Sequence, residues 1–365
     1  MRRERELERQ LREAPIPEEA DAEQRSWEVV RAAYSERVPV IPTHRTRRIA
    51  LAAAVGAALL AVGFSPAGAQ VGDWVRDMVG AEDAKPELKS LPAAGEILVE
   101  SGDGVWIVRD DGSKRRLGDY DEATWSPHGR YVAVTDVDRL LAVDPEGEVQ
   151  WEIRAPAEIE DAAWAGTEFD TRIAYRSGND LWVVAGDGTG ERLVAEDVTP
   201  IAPAWRPLGD TKLGTAGAHV LSYVNGKGDI SAVDVDTGRD VPVGGLDAVP
   251  ELAPSTVAGR ARSPITGRTA AIRRASDGSK LVLTGDGRAP RQILFRSPGY
   301  LTGPTWSPDG RWLLIGWRDA NQWLFINADQ PRRVVAFDNI AEQFDEADAP
   351  RRDLPRVAGW ILPSR

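Results

Sequence analysis

The sequence predicts an all-β chain: a six-bladed β-propeller, preceded by a transmembrane helix and a short helical cytoplasmic tail. Three observations carry this. A tryptophan-led unit recurs over 96–362 at a spacing close to 40 residues, the length of a four-stranded propeller blade. Gly 35, Pro 25 and Trp 13 against Met 2 suit many short strands joined by tight turns. Residues 49–69 carry no charge.

The tail, 1–48, holds 11 Arg and 10 acidic residues and is nearly neutral. Within it an amphipathic helix is expected over about 20–37, where Trp27, Val30, Ala33 and Tyr34 fall at three- and four-residue spacing. Pro39 and Pro42 stop it. The tail has no other hydrophobic mass to cover Trp27, Val30 and Tyr34, so a cytosolic protein groove is the expected partner; a passive juxtamembrane helix is the alternative.

Ile49–Ala69 as a helix spans about 31 Å, one bilayer core. His44-Arg45-Thr46-Arg47-Arg48 precede it, and Asp73, Asp77, Glu82, Asp83 and Glu87 follow. The positive-inside bias gives a single-pass cell-membrane protein, N-terminus cytoplasmic and propeller extracytoplasmic. Cleavage after Ala67-Gly68-Ala69 is the rival reading and leaves the same part outside. Residues 70–95 are expected to form a juxtamembrane helix and linker, with Val71, Trp74, Val75 and Met78 on one face.

The repeat then begins. Trp125-Ser-Pro-His-Gly-Arg-Tyr-Val-Ala-Val matches Trp306-Ser-Pro-Asp-Gly-Arg-Trp-Leu-Leu-Ile, and weaker copies start at Trp164, Trp205 and Arg262. Each unit runs from a Pro/Gly turn into two apolar runs and a further alternating run. Six units start near 96, 125, 164, 205, 262 and 306. The first lacks a leading Trp strand, which Val357-Ala-Gly-Trp-Ile361 can supply, closing the ring. Trp125, Trp164, Trp205, Trp306 and Trp360 are therefore read as blade-packing positions and the Ser-Pro-Asp-Gly elements as structural turns.

Trp-Ser-Pro-Asp-Gly-Arg followed by an apolar strand resembles the TolB-type, WD-like propeller repeat. The resemblance covers about 96–362 and implies binding of proteins or ligands through channel-mouth loops and inter-blade grooves. In place of the α/β domain of periplasmic TolB stand an anchor and a tail. That layout resembles membrane-bound sigma-factor regulators, which would make a sigma factor the partner of the tail.

The formal charge, 45 − 57 = −12, argues against a nucleic-acid partner. The lack of cysteine removes disulfides, thiolate metal sites and cysteine nucleophiles, and His44, His128 and His219 are too few for a multi-histidine centre. No catalytic motif is present, so no cofactor, metal or catalytic residue is expected. Asp234-Val-Asp-Thr-Gly-Arg-Asp240 has its glycine fifth and no Glu twelfth, unlike a calcium loop. His128 reads as a turn residue and His219 as a satisfied core or channel residue. Val241–Arg260 and Ile340–Pro355 read as variable loops, the second with an acidic patch at Glu342, Asp345, Glu346 and Asp348. The expected function is a non-enzymatic, membrane-anchored binding module for a protein or small ligand. Its competitors are an envelope enzyme acting on glycan or peptide, and an envelope scaffold.

Overall fold

A computed structural model describes residues 87–167, 169–206, 219–243, 257–276, 278–285, 292–345 and 353–362. They fall in the compact unit Gln70–Arg365 and form six four-stranded antiparallel sheets, a six-bladed β-propeller. Blade 1 combines β24 (Arg356–Ile361) with β1 (Glu96–Ser101), β2 (Gly104–Val108) and β3 (Lys114–Gly118). Blade 2 holds β4 (Ala123–Trp125), β5 (Val132–Asp136), β6 (Arg139–Val143) and β7 (Val149–Arg154). Blade 3 holds β8 (Ile159–Gly166), β9 (Thr171–Ser177), β10 (Asp180–Ala185) and β11 (Arg192–Ala195). Blade 4 holds β12 (Ala204–Trp205), β13 (Val220–Val224), β14 (Ile230–Asp234) and β15 (Arg239–Asp240). Blade 5 holds β16 (Val257–Arg262), β17 (Thr269–Ala275), β18 (Gly278–Thr284) and β19 (Gln292–Ser297). Blade 6 holds β20 (Leu301–Trp306), β21 (Trp312–Trp317), β22 (Gln322–Asn327) and β23 (Val334–Phe337).

The middle strands of each blade are β-branched and aliphatic runs such as Val132-Ala-Val134 and Leu313-Leu-Ile315, buried on both faces because a blade is sandwiched between two others. Five hydrophobic clusters result, each bridging neighbouring blades: 1 with 2, 2 with 3, 3 with 4, 5 with 6, and 6 with 1. Among the described residues no such cluster bridges blades 4 and 5. There β16 carries exposed Arg262 at the position where the other first strands carry Trp. Strand β24 pairs with β1, Ile97 opposite Trp360, with a register shift between Leu98 and Val99.

Two stretches read from sequence as linker or loop are part of the packed body. Leu88 and Leu91, within the 70–95 linker, are buried against blades 1 and 6. The Leu88 N–H donates to Gln343 Oε1 (3.1 Å) and that of Leu91 to Asp110 O (2.8 Å). At the start of the second insertion Ile340, Ala341, Phe344 and Asp345 are likewise buried while Glu342 stays exposed, because Ile340 and Phe344 insert beside Trp323 and Trp106 around a 3-10 turn. Glu346 and Asp348 lie outside the described residues, as does most of Val241–Arg260. So do the tail 1–48 with Trp27, Val30 and Tyr34, the segment 49–69, and the helical face Val71–Met78. Among the described residues no helix is long and apolar enough to cross a membrane.

Candidate functional site

The repeated tryptophans occupy one structural role. Each sits at or near the end of a first strand and packs on the preceding blade: Trp125 on blade 1, Trp164 on blade 2, Trp205 on blade 3, Trp306 on blade 5, Trp360 on blade 6. Trp205 Nε1 donates to Ala163 O (2.9 Å) and Trp306 Nε1 to Ala261 O (3.1 Å), in each case a carbonyl of the preceding first strand. Trp125 lies against Gly359 so closely that a Cβ there would come within 2.9 Å of its ring.

The turns after Trp125 and Trp306 are closed hydrogen-bonded units. Ser307 Oγ accepts from the Trp312 N–H (2.9 Å) and donates to Asp309 Oδ1 (2.5 Å), and that same oxygen accepts from the Arg311 N–H (3.0 Å). Gly310 takes φ +67°, which an L side chain rarely adopts. Ser126 repeats the pattern, and His128 fills the Asp place, its Nδ1 accepting from the Arg130 N–H (3.2 Å). The turn serines and their acids are thus committed to backbone geometry.

In an up-and-down blade, the turns joining first to second and third to fourth strands share one rim, and this rim carries two adjoining clefts. One, of about 390 Å³ between blades 2 and 3, is walled by Tyr131, Trp151, Phe169 and His128, with Asp170 and Arg172 at its polar side. Trp151 is fixed by its Nε1 donating to Gly186 O (3.1 Å), while Phe169 is 92% exposed at the lip. The second, of about 370 Å³ between blades 1 and 2, is polar: Glu96, Arg109, Arg130, Asp144 and Glu146 line it. Tyr131 and Gln150 belong to both.

On the same rim, His219 joins blade 4 to blade 3. It is buried, with Nδ1 2.6 Å from Asp236 Oδ2 and Nε2 3.3 Å from Asp170 O. Arg172 bridges Asp236 (3.0 Å) and Asp170. Burial acts to raise the Asp236 carboxyl, but His219 and Arg172 outweigh it and hold the group below the ordinary range. Asp234 Oδ1 accepts from the Asp236 N–H (3.0 Å), so Asp234 and Asp236 of the calcium-like loop are occupied by protein donors. No cluster of three or more metal-ligating side chains occurs among the described residues.

The opposite rim is held by charge. Glu100 Oε1 accepts from the Ala123 N–H (2.8 Å) and Arg356 Nη2 (2.7 Å). Buried Arg176 donates to Asp161 Oδ2 (2.7 Å) and Glu160 Oε2 (2.8 Å). Burial pushes Glu100 and Glu122 above the ordinary carboxylate range, Glu122 also through the nearby charge of Asp161.

Sequence reasoning did not find Glu96, Arg109, Trp151, Phe169 or Arg172. They stand on strands and turns whose repeat pattern gives them no distinct signal; only the clash of a bare Phe169 with a polar turn offered one. No protein-family model and no curated protein matches the chain. Among solved structures it is similar to TolB from Acinetobacter baumannii, with TM-score 0.42, 15% identity, and 66% of each chain covered. It is similar to a putative TolB from Agrobacterium tumefaciens, with TM-score 0.41, 14% identity, and 67% of this chain and 88% of that one covered. A chain of a nidogen/laminin complex gives TM-score 0.41 at 12% identity, covering 67% of this chain and 94% of that chain. At these identities the likeness concerns fold alone.

Proposed function

We propose that the propeller is a non-enzymatic binding module that takes a protein or peptide on the rim of blades 1–3. In this reading residues 49–69 anchor it, with the propeller outside the membrane and the N-terminus in the cytoplasm. The tail reports to a cytosolic protein, a sigma factor in the regulator-like form, through Trp27, Val30 and Tyr34. One observation carries the rim assignment: the two adjoining clefts share Tyr131 and Gln150 and are flanked by a Phe169 side chain 92% exposed. Exposed aromatic groups beside half-buried ones are the pattern of a contact surface. The topology rests on the basic cluster at 44–48 against the acidic flank that follows residue 69.

Two experiments test this. Photo-crosslinking from benzoylphenylalanine at position 169 in cells should capture a partner that the same group at exposed Lys227, on the opposite rim, does not. Equal capture at both positions refutes the rim assignment. For topology, the cysteine-free chain allows single cysteines at Ser35 and Lys227. An impermeant thiol reagent on intact cells should label 227 and leave 35 unlabelled; the reverse overturns the orientation.

A further inference from the structure

The cleft between blades 1 and 2 holds a carboxylate with one oxygen uncommitted. Glu96 opens β1, and its side chain is 10% exposed. Oε1 accepts from Arg109 Nε (3.2 Å). Oε2 is buried and has no hydrogen-bond partner in the protein. Leaving a buried carboxylate oxygen without a donor is costly, and native structures rarely do so without a purpose.

The donors around it are engaged elsewhere. Arg109 serves Glu96 Oε1 and approaches Glu146 (3.8 Å). Gln150 Nε2 donates to Asp144 Oδ2 (3.2 Å) and Glu148 O (3.3 Å). Of the charged groups lining the cleft, three are carboxylates (Glu96, Asp144, Glu146) and two are guanidinium groups (Arg109, Arg130), a net charge of 2 − 3 = −1. One cation neutralises it. Tyr131 supplies an aromatic wall of the kind cations favour.

We infer that this cleft takes the cationic side chain of a lysine or arginine in a bound peptide, its charge balanced by the Glu96 and Glu146 carboxylates. The inference rests on the binding-module reading above. The adjoining cleft indicates a peptide in place of a free amine: it continues past Tyr131 and Gln150 into aromatic walls of Trp151, His128 and Phe169. A residue next to the basic one therefore meets an apolar surface. The motif recognised is a basic residue beside an aromatic or large aliphatic one, in an extended segment.

The test is calorimetric titration of the full-length chain in detergent micelles with acetyl-Ala-Arg-Trp-Ala-amide and acetyl-Ala-Trp-Arg-Ala-amide. Each is compared with its citrulline counterpart, which keeps the shape of arginine without its charge. At least one arginine peptide should bind, and its citrulline form about tenfold or more weaker, the scale of one charge-assisted hydrogen bond. Glu96→Gln should remove that difference and leave the citrulline peptide unchanged. Because Glu96→Gln also touches Arg109, its melting curve is compared with wild type. Phe169→Ala, a change at an exposed side chain, serves as a second variant and should weaken the arginine and citrulline peptides alike. Equal affinity for arginine and citrulline, or a folded Glu96→Gln that still discriminates, overturns the cation site. If that equal binding is lost in Phe169→Ala, the binding module stands without it. No binding of any probe up to about 1 mM overturns the inference. Crosslinking at position 169 then decides the module separately.

Discussion

Arg356→Ala isolates the ion pair that fastens the last strand to the ring. Glu100 is 9% exposed and is held by Arg356 and by the Ala123 N–H of the next blade. Removing the guanidinium leaves a buried carboxylate with a single donor. Breaking a fully buried pair costs about 3–5 kcal/mol, and an exposed one under about 1. The Arg356 side chain is 65% exposed, so water screens its outer face. The expected loss is therefore intermediate, about 2 kcal/mol, or roughly 4–8 °C in Tm for a domain of this size. Its pH dependence has a definite sign. Burial raises the Glu100 carboxyl above its ordinary value even with Arg356 present, and deleting Arg356 raises it further. A carboxyl with a raised folded-state pKa favours the folded state when protonated, and that advantage is lost as pH rises through the folded value. The deficit of Arg356→Ala should accordingly be largest near neutral pH and shrink as pH falls through the raised folded-state value of Glu100. Urea unfolding followed by tryptophan fluorescence at several pH values measures it. Arg356→Ala with Glu100→Gln, which keeps an acceptor for the Ala123 N–H, should recover most of the loss. A deficit that neither varies with pH nor responds to Glu100→Gln would refute the reasoning.

Three further outcomes are expected. Trp360→Ala, at a side chain 5% exposed and 5.6 Å from the Phe325 ring, should cost about 3–5 kcal/mol by denaturant unfolding. Trp360→Phe, which gives up an indole N–H that has no partner, should cost far less; equal losses would rule out packing as the cause. Val137, β-branched yet at φ +54° in the turn between β5 and β6, should gain about 1 kcal/mol on replacement by Asn, and an Asn variant that melts no higher than wild type sinks the strain argument. In the tail, Trp27→Ala with Tyr34→Ala should abolish capture of a cytosolic protein by residues 1–48, each aromatic anchor being worth at least about 2 kcal/mol. Undiminished capture would make the tail a spacer.

The blades were legible in the sequence because their rules are local. A serine three places before the turn glycine, a Trp ahead of it and an apolar run behind it all act within one short stretch, as Ser307 and Gly310 show. Burial of Ile340, Phe344 and Asp345 was hidden because the acidic run suggested solvent, and only Glu342 of the described acids meets it, while Ile340 and Phe344 fixed the rest. The rim clefts were illegible for a different reason. His219, Asp236 and Arg172 meet across blades, Arg172 and Asp236 standing 64 positions apart, and no pairwise spacing announces that. Glu96 could be seen only as a charged residue at a strand start. Its uncommitted oxygen is a property of what surrounds it in space.

The pairing of β24 with β1 also imposes a timetable. Ile97 and Trp360 face each other across 360 − 97 = 263 positions of chain. At about 5–20 residues per second, synthesis of the intervening chain takes roughly 13–50 s. During that interval β1 has its partner β2 on one side, and its partner on the other, β24, is not yet made. The waiting edge is Ile97-Leu98-Val99, apolar and of high strand propensity, able to pair with any extended segment that arrives first. A nascent chain therefore stays vulnerable to strand exchange with a neighbour on the same polysome until its last blade is made. The time taken to translate the chain beyond Val108 thus sets how long that edge waits for its partner.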